Sequence, residues 1–118
     1  MGVVFMIAVM LIAFVLFLTP SAAVPLATEG VNEIIIKDQV FSPMIVNIDK
    51  GTKVTWTNLD SVPHQIKSDP HPGHTDLSSL SSDPLNYNQT YSYTFAREGV
   101  FEYHCEVHPE MNGTIVVK

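Results

Sequence analysis

The sequence predicts an all-β domain, an antiparallel sandwich or barrel, behind an apolar leader. Three observations carry that expectation. Short runs rich in Val, Ile, Thr, Tyr and Phe recur after residue 30, turn residues fall between them at near-regular spacing, and no stretch beyond the leader has helical periodicity.

The leader comes first. Residues 2–18 contain no charged or polar side chain, and Thr19, Pro20 and Ser21 end the run. Ser21, Ala22 and Ala23 supply small residues for cleavage before Val24, as in a secretory signal. Against cleavage, no Lys or Arg precedes the run, and it is longer than the roughly 7–15 residues of a signal core, reaching the lower limit of about 17–25 for a membrane-spanning helix. Residues 1–23 are therefore a signal peptide or a retained anchor, residues 24–30 a linker, and residues 31–118 one domain. Both forms of the leader place the domain outside the cytoplasmic membrane, at its periplasmic or extracellular face, with membrane association only if the anchor is kept.

Seven strands are expected in order: Val31 to Lys37, Met44 to Ile48, Thr52 to Asn58, His64 to Lys67, Tyr91 to Phe95, Val100 to His104 and Thr114 to Val117. Turns are expected at Ser42-Pro43, Asp49-Lys50-Gly51, Asn58-Leu59-Asp60, Arg97-Glu98-Gly99 and Asn112-Gly113. Tyr91, Tyr93 and Phe95 alternate with Ser92 and Thr94, the pattern of a strand buried on one face, and Trp56 between Thr55 and Thr57 is a core anchor. Ser68 to Asn88 is a long segment dense in Ser, Asp, Pro and His, with one short helical turn expected near Leu77 to Ser81.

Composition limits the function. Twelve acidic against six basic residues give a formal charge of −6, none of it before Glu29, which disfavours nucleic acid as a partner. The chain has a single cysteine, Cys105, so an internal disulfide is excluded and an exported lone thiol needs another explanation.

Cys105, His108 and Met111 stand at i, i+3 and i+6 directly after an apolar strand. A thiolate, an imidazole and a thioether are the donors that suit copper, with two histidines and the cysteine in a plane and methionine as a long axial ligand. His64, at the start of an upstream strand, is the natural second histidine. A plain reading competes: a buried Cys, a surface His and a core Met can meet in seven residues by accident. Zinc would want more thiolates or histidines and no thioether. Haem attachment through Cys-x-x-Cys-His is absent, and no orienting partner can be named for a catalytic Cys105/His108 pair.

The domain resembles the cupredoxins, the small blue copper proteins, and is most similar to their amicyanin and plastocyanin branch. The resemblance runs from about Val31 to Lys118 and rests on Phe41-Ser42-Pro43, the Gly51 to Asn58 strand, Pro63-His64, and Tyr103-His104-Cys105-Glu106-Val107-His108-Pro109-Glu110-Met111. It implies a Greek-key sandwich, one copper ion held by His64, Cys105, His108 and Met111, and one-electron transfer through the exposed edge of His108 to a transient protein partner. It implies no enzyme. The short gap between His108 and Met111 is of the amicyanin type. Gln65 departs from the Asn common after the first histidine, while the backbone N–H that reaches the cysteine sulfur is kept.

Phe41, Met44, Pro63, Val107 and Pro109 are expected to line the metal, and Pro109 restricts φ next to His108 while withholding a competing N–H. Glu106 and Glu110 are expected to form an acidic rim for a basic partner. His104 should point away from the face that carries Cys105 and not bind this metal. His71 and His74, with flanking carboxylates, are read as a solvated polar loop, with a second weak metal site as the alternative. Residues 31–118 make one sandwich without a second copper cluster for substrate chemistry, so a monomeric electron carrier is expected, with extracytoplasmic copper carriage as the other possibility.

Overall fold

The computed structural model describes residues 2–3, 12–16 and 31–118. The linker and most of the leader lie outside the described residues. Among the described residues, eight strands form two four-stranded sheets. In chain order they are β1 Glu33–Lys37, β2 Val40–Ser42, β3 Ile45–Ile48, β4 Lys53–Asn58, β5 Ile66–Ser68, β6 Thr90–Thr94, β7 Gly99–Cys105 and β8 His108–Val117. One sheet has the order β2-β1-β4-β6 and the other β3-β8-β7-β5.

The all-β sandwich is as expected, with a refinement in pairing. β1 runs parallel to β4 and β3 parallel to β8, so each sheet mixes parallel and antiparallel neighbours. β1 and β4 are separated in the chain by two strands and β3 and β8 by four, which leaves room for the crossover that parallel pairing needs.

Alternation along the strands builds the core. β1 turns Ile34 and Ile36 inward, β4 turns Val54 and Trp56 inward, and β7 contributes Phe101, Tyr103 and Cys105. Trp56 is fully buried and meets Tyr103 edge to face at 5.4 Å between ring centroids, while Phe41 meets the other side of Tyr103 at 4.8 Å. Such edge-to-face pairs add specific geometry to the large apolar area each ring removes from water. On β8, Gly113 pairs with Tyr103 in register, and the Tyr103 ring occupies the space where any Cβ at 113 would stand.

The long segment after β5 folds back over the sheet. Asp69 N–H donates to the Glu102 carbonyl, extending the β5–β7 ladder, and the His71 and His74 rings lie against His104, so the segment covers the outer face of β7 there. Where a short helical turn was expected, residues 76–79 form a hydrogen-bonded turn without helix, closed by Leu80 N–H donating to the Leu77 carbonyl.

Candidate metal centre

β7 and β8 form an antiparallel hairpin in which Cys105 pairs directly with His108, leaving only Glu106 and Val107 between them. The register shifts at His104/Cys105. This tight turn sets Cys105 Sγ 3.8 Å from His108 Nδ1. Met111 follows on β8, buried in the same apolar cluster as Cys105.

His64 arrives from the other side. Its N–H donates to the Leu85 carbonyl at 3.0 Å and its carbonyl accepts from Leu85 N–H at 2.7 Å. Fully buried Asn58 fixes the turn before it, donating from Nδ2 to the carbonyls of Val62 (2.9 Å) and Leu85 (2.8 Å) and accepting at Oδ1 from Asp60 N–H (2.8 Å). So placed, His64 puts Nδ1 3.5 Å from Cys105 Sγ and Nε2 2.8 Å from Asp60 Oδ2. A carboxylate can only accept, so Nε2 carries the proton and Nδ1 offers its lone pair toward the sulfur. Burial pushes the Asp60 carboxyl up, but the Gln39 N–H, the His64 ring and the Asp38 N–H together hold it below its ordinary value.

The donor set fits one metal ion. Two donors about 2.0–2.3 Å from a shared ion, at a trigonal or tetrahedral angle, stand about 3.6 Å apart, and the structure gives 3.5 and 3.8 Å between the sulfur and the two imidazoles. Gln65 N–H points at the sulfur from 3.4 Å and so fixes its position between the two imidazoles. His64 and Cys105 have no exposed surface and Met111 has 5%. His108 alone of the four is only half-buried.

Other expected contributors fall differently. Phe41 belongs to the central core, packed on Tyr103, while Met44, Pro63, Val107 and Pro109 are exposed. Gln65 turns its side chain to the Ser82 carbonyl at 2.8 Å, and backbone joins the two ligand segments instead, through Glu106 N–H to the Gln65 carbonyl. His104 points away from the face carrying Cys105, as alternation requires, yet it is 1% exposed because the 68–76 segment covers it. There it meets His71, His74 and Glu106, whose donor atoms all lie within 4.8 Å of one another. The loop is largely solvated, as expected, with His71 exposed and His74 part-buried, yet both rings pack against His104. Glu106 is likewise no free rim charge, since its carboxylate faces these imidazoles.

Asp60 and Asn58 had been legible only as turn residues. The signal was an Asx pair two residues apart, ending four residues before the histidine.

Residues 7–117 match the family model described as Cupredoxin-like domain. The chain belongs to the cupredoxin-like family. It is 36% identical over 96 residues to amicyanin-alpha of Methylorubrum extorquens, covering 81% of this chain and 79% of that one. It is 39% identical over 85 residues to plastocyanin of Scenedesmus fuscus, covering 67% and 87%. Among solved structures, the novel purple cupredoxin from Nitrosopumilus maritimus superposes with a TM-score of 0.66 at 37% identity, over 75% of this chain and 100% of that one. This cupredoxin is thus a blue copper electron-transfer protein, with copper as its cofactor, and an electron carrier rather than an enzyme.

Proposed function

We propose that the chain is an exported mononuclear type 1 copper protein in which His64, Cys105, His108 and Met111 hold the ion. The convergence of two imidazole nitrogens on the Cys105 sulfur, with His108 as the one donor residue near the surface, carries this reading. When bound, copper supplies one-electron exchange. The chain's own residues do the rest: Asp60 orients His64, Gln65 N–H donates to the Cys105 sulfur, and the β7–β8 hairpin holds Cys105 and His108 in a fixed pair.

A transient protein partner docks over His108, because it is the one residue of the four that reaches toward solvent. The exposed apolar neighbours Val107 and Pro109 give that surface a dry contact, and exposed Glu110 adds a negative charge. The apolar leader sends the domain across the cytoplasmic membrane, where it works as a monomer. A visible and electron paramagnetic resonance spectrum of the copper-loaded domain tests the centre. Intense thiolate-to-copper absorption with small copper hyperfine splitting is expected. Full copper loading without that spectrum would favour copper carriage instead.

A further inference from the structure

We propose that His71, His74, His104 and Glu106 form a second metal site, suited to a borderline divalent ion such as zinc or copper(II). The site lies on the outer face of β7, where the 68–76 segment covers His104. Its centre is Glu106 Oε2, which stands 3.0 Å from His74 Nε2, 3.5 Å from His71 Nδ1 and 3.7 Å from His104 Nε2. Nitrogen and oxygen donors about 2.0–2.1 Å from one tetrahedral ion are separated by about 3.3 Å. The carboxylate oxygen is therefore spaced from all three imidazoles as donors sharing an ion are spaced.

Hydrogen bonding points the same way. His104 Nε2 is buried with no hydrogen-bond partner, and buried Glu106 Oε2 has no hydrogen bond either, its closest imidazole atom being His74 Nε2 at 3.0 Å. An unsatisfied buried pair of this kind is costly without a ligand. The opposite nitrogens are held: His104 Nδ1 is 2.6 Å from Asp69 Oδ1, and His74 Nδ1 is 2.8 Å from the Ser68 carbonyl. Each acceptor takes the Nδ1 proton and leaves the Nε2 lone pair facing the cluster, the outer arrangement of metal-binding histidines. His74 also adopts a left-handed backbone, φ 53°, uncommon outside glycine and found where a side chain must be aimed. Three nitrogens and one carboxylate oxygen, with no sulfur, suit zinc or copper(II) rather than copper(I). His71 is 40% exposed, which gives an ion a way in.

The test uses copper-loaded protein, in which the first centre is filled, incubated with zinc and then desalted. One zinc per chain is expected to remain, and the reduction potential of the blue centre is expected to rise, because His104 and Cys105 are consecutive and the added charge lies beside the first site. The His71→Gln/His74→Gln double variant should retain no zinc and keep its blue absorption. If that variant fails to fold, Glu106→Gln serves, with zinc affinity expected to fall at least about tenfold. The inference does not rest on the copper reading, since a Cys105→Ala chain should hold its zinc as well. Wild-type protein that retains no zinc, or a double variant that retains as much as wild type, overturns the proposal.

Discussion

Asp60 Oδ2 lies 2.8 Å from His64 Nε2, and the same carboxylate accepts the backbone N–H groups of Asp38 (2.6 Å) and Gln39 (2.9 Å). One side chain thus ties the β1–β2 turn to the histidine of the metal centre. Asp38 and Gln39 both have positive φ, 52° and 58°, and the carboxylate satisfies the donors that this turn exposes.

The pH dependence follows from that arrangement. The folded pKa of Asp60 lies below its ordinary value of 3.8. Its contribution to stability is therefore complete above the unfolded value and is lost as pH falls through the folded one. Asp60→Asn should unfold more easily than wild type at pH 7, by about 1–3 kcal/mol. The gap should shrink at pH 3 and below. Urea denaturation of both proteins at the two pH values measures it, and a gap independent of pH would show that the charge is not what matters.

Gly113→Ala should destabilise the fold by about 1–3 kcal/mol, because the Tyr103 ring fills the Cβ position and is itself packed between Phe41 and Trp56. The phenol cannot swing away without moving the core. Gly99→Ala is a contrasting case: its φ of 147° strains the backbone, but its nearest neighbour, the edge of the Phe101 ring, is 3.1 Å away and does not fill the Cβ position. Chemical denaturation of Gly113→Ala, read by Trp56 fluorescence, checks the prediction.

Asn58→Ala removes both donors from the Val62 and Leu85 carbonyls and the acceptor of Asp60 N–H. A loss of about 1–3 kcal/mol is expected from the buried groups left unpaired. The turn from Asn58 to His64 also loses its anchor. Copper-loaded Asn58→Ala should therefore show a broadened blue absorption beside its lower stability, whereas a substitution distant from the centre would lower stability alone.

Much of the fold was legible because alternation is a local signal. Thr55-Trp56-Thr57 and Tyr91 to Phe95 declare their buried faces within a few residues. β2 was hidden, since Val40–Ser42 is only three residues long and lies between a left-handed turn and Pro43. β8 begins earlier than expected, at His108, because Pro109 and Gly113 resemble turn residues although the hairpin register continues through them. The first metal centre was visible because three of its donors are close in sequence. Of the histidine cluster only the His71/His74 pair was visible, as an alternative, because alternation tells that His104 faces outward but not that the 68–76 segment will fold across it.

Cys105→Ala should abolish the intense visible absorption of the copper-loaded protein, since that band requires the thiolate. Met111→Leu should keep it, because both imidazoles and the sulfur remain. Its reduction potential should rise: losing an electron-donating thioether destabilises the more highly charged oxidised state more than the reduced one. Spectrophotometry and a redox titration of the two variants check these outcomes. A still-blue Cys105→Ala protein would remove the sulfur from the site.

Electron exchange at His108 should depend on salt with a sign set by the surface charge. The chain carries a formal −6, and exposed Glu110 stands two residues from His108, whereas Glu106 is turned into the histidine cluster. A small cationic one-electron reagent should therefore react faster at low ionic strength than an anionic one of similar driving force. That advantage should fade as the Debye length drops from about 30 Å at 0.01 M to about 10 Å at 0.1 M. Glu110→Gln should flatten the salt dependence for the cationic reagent, because a charge beside the point of contact acts over the shortest distance. Stopped-flow rates across that range decide the matter. Equal salt slopes for the two reagents would mean that the net charge does not steer encounter at this surface.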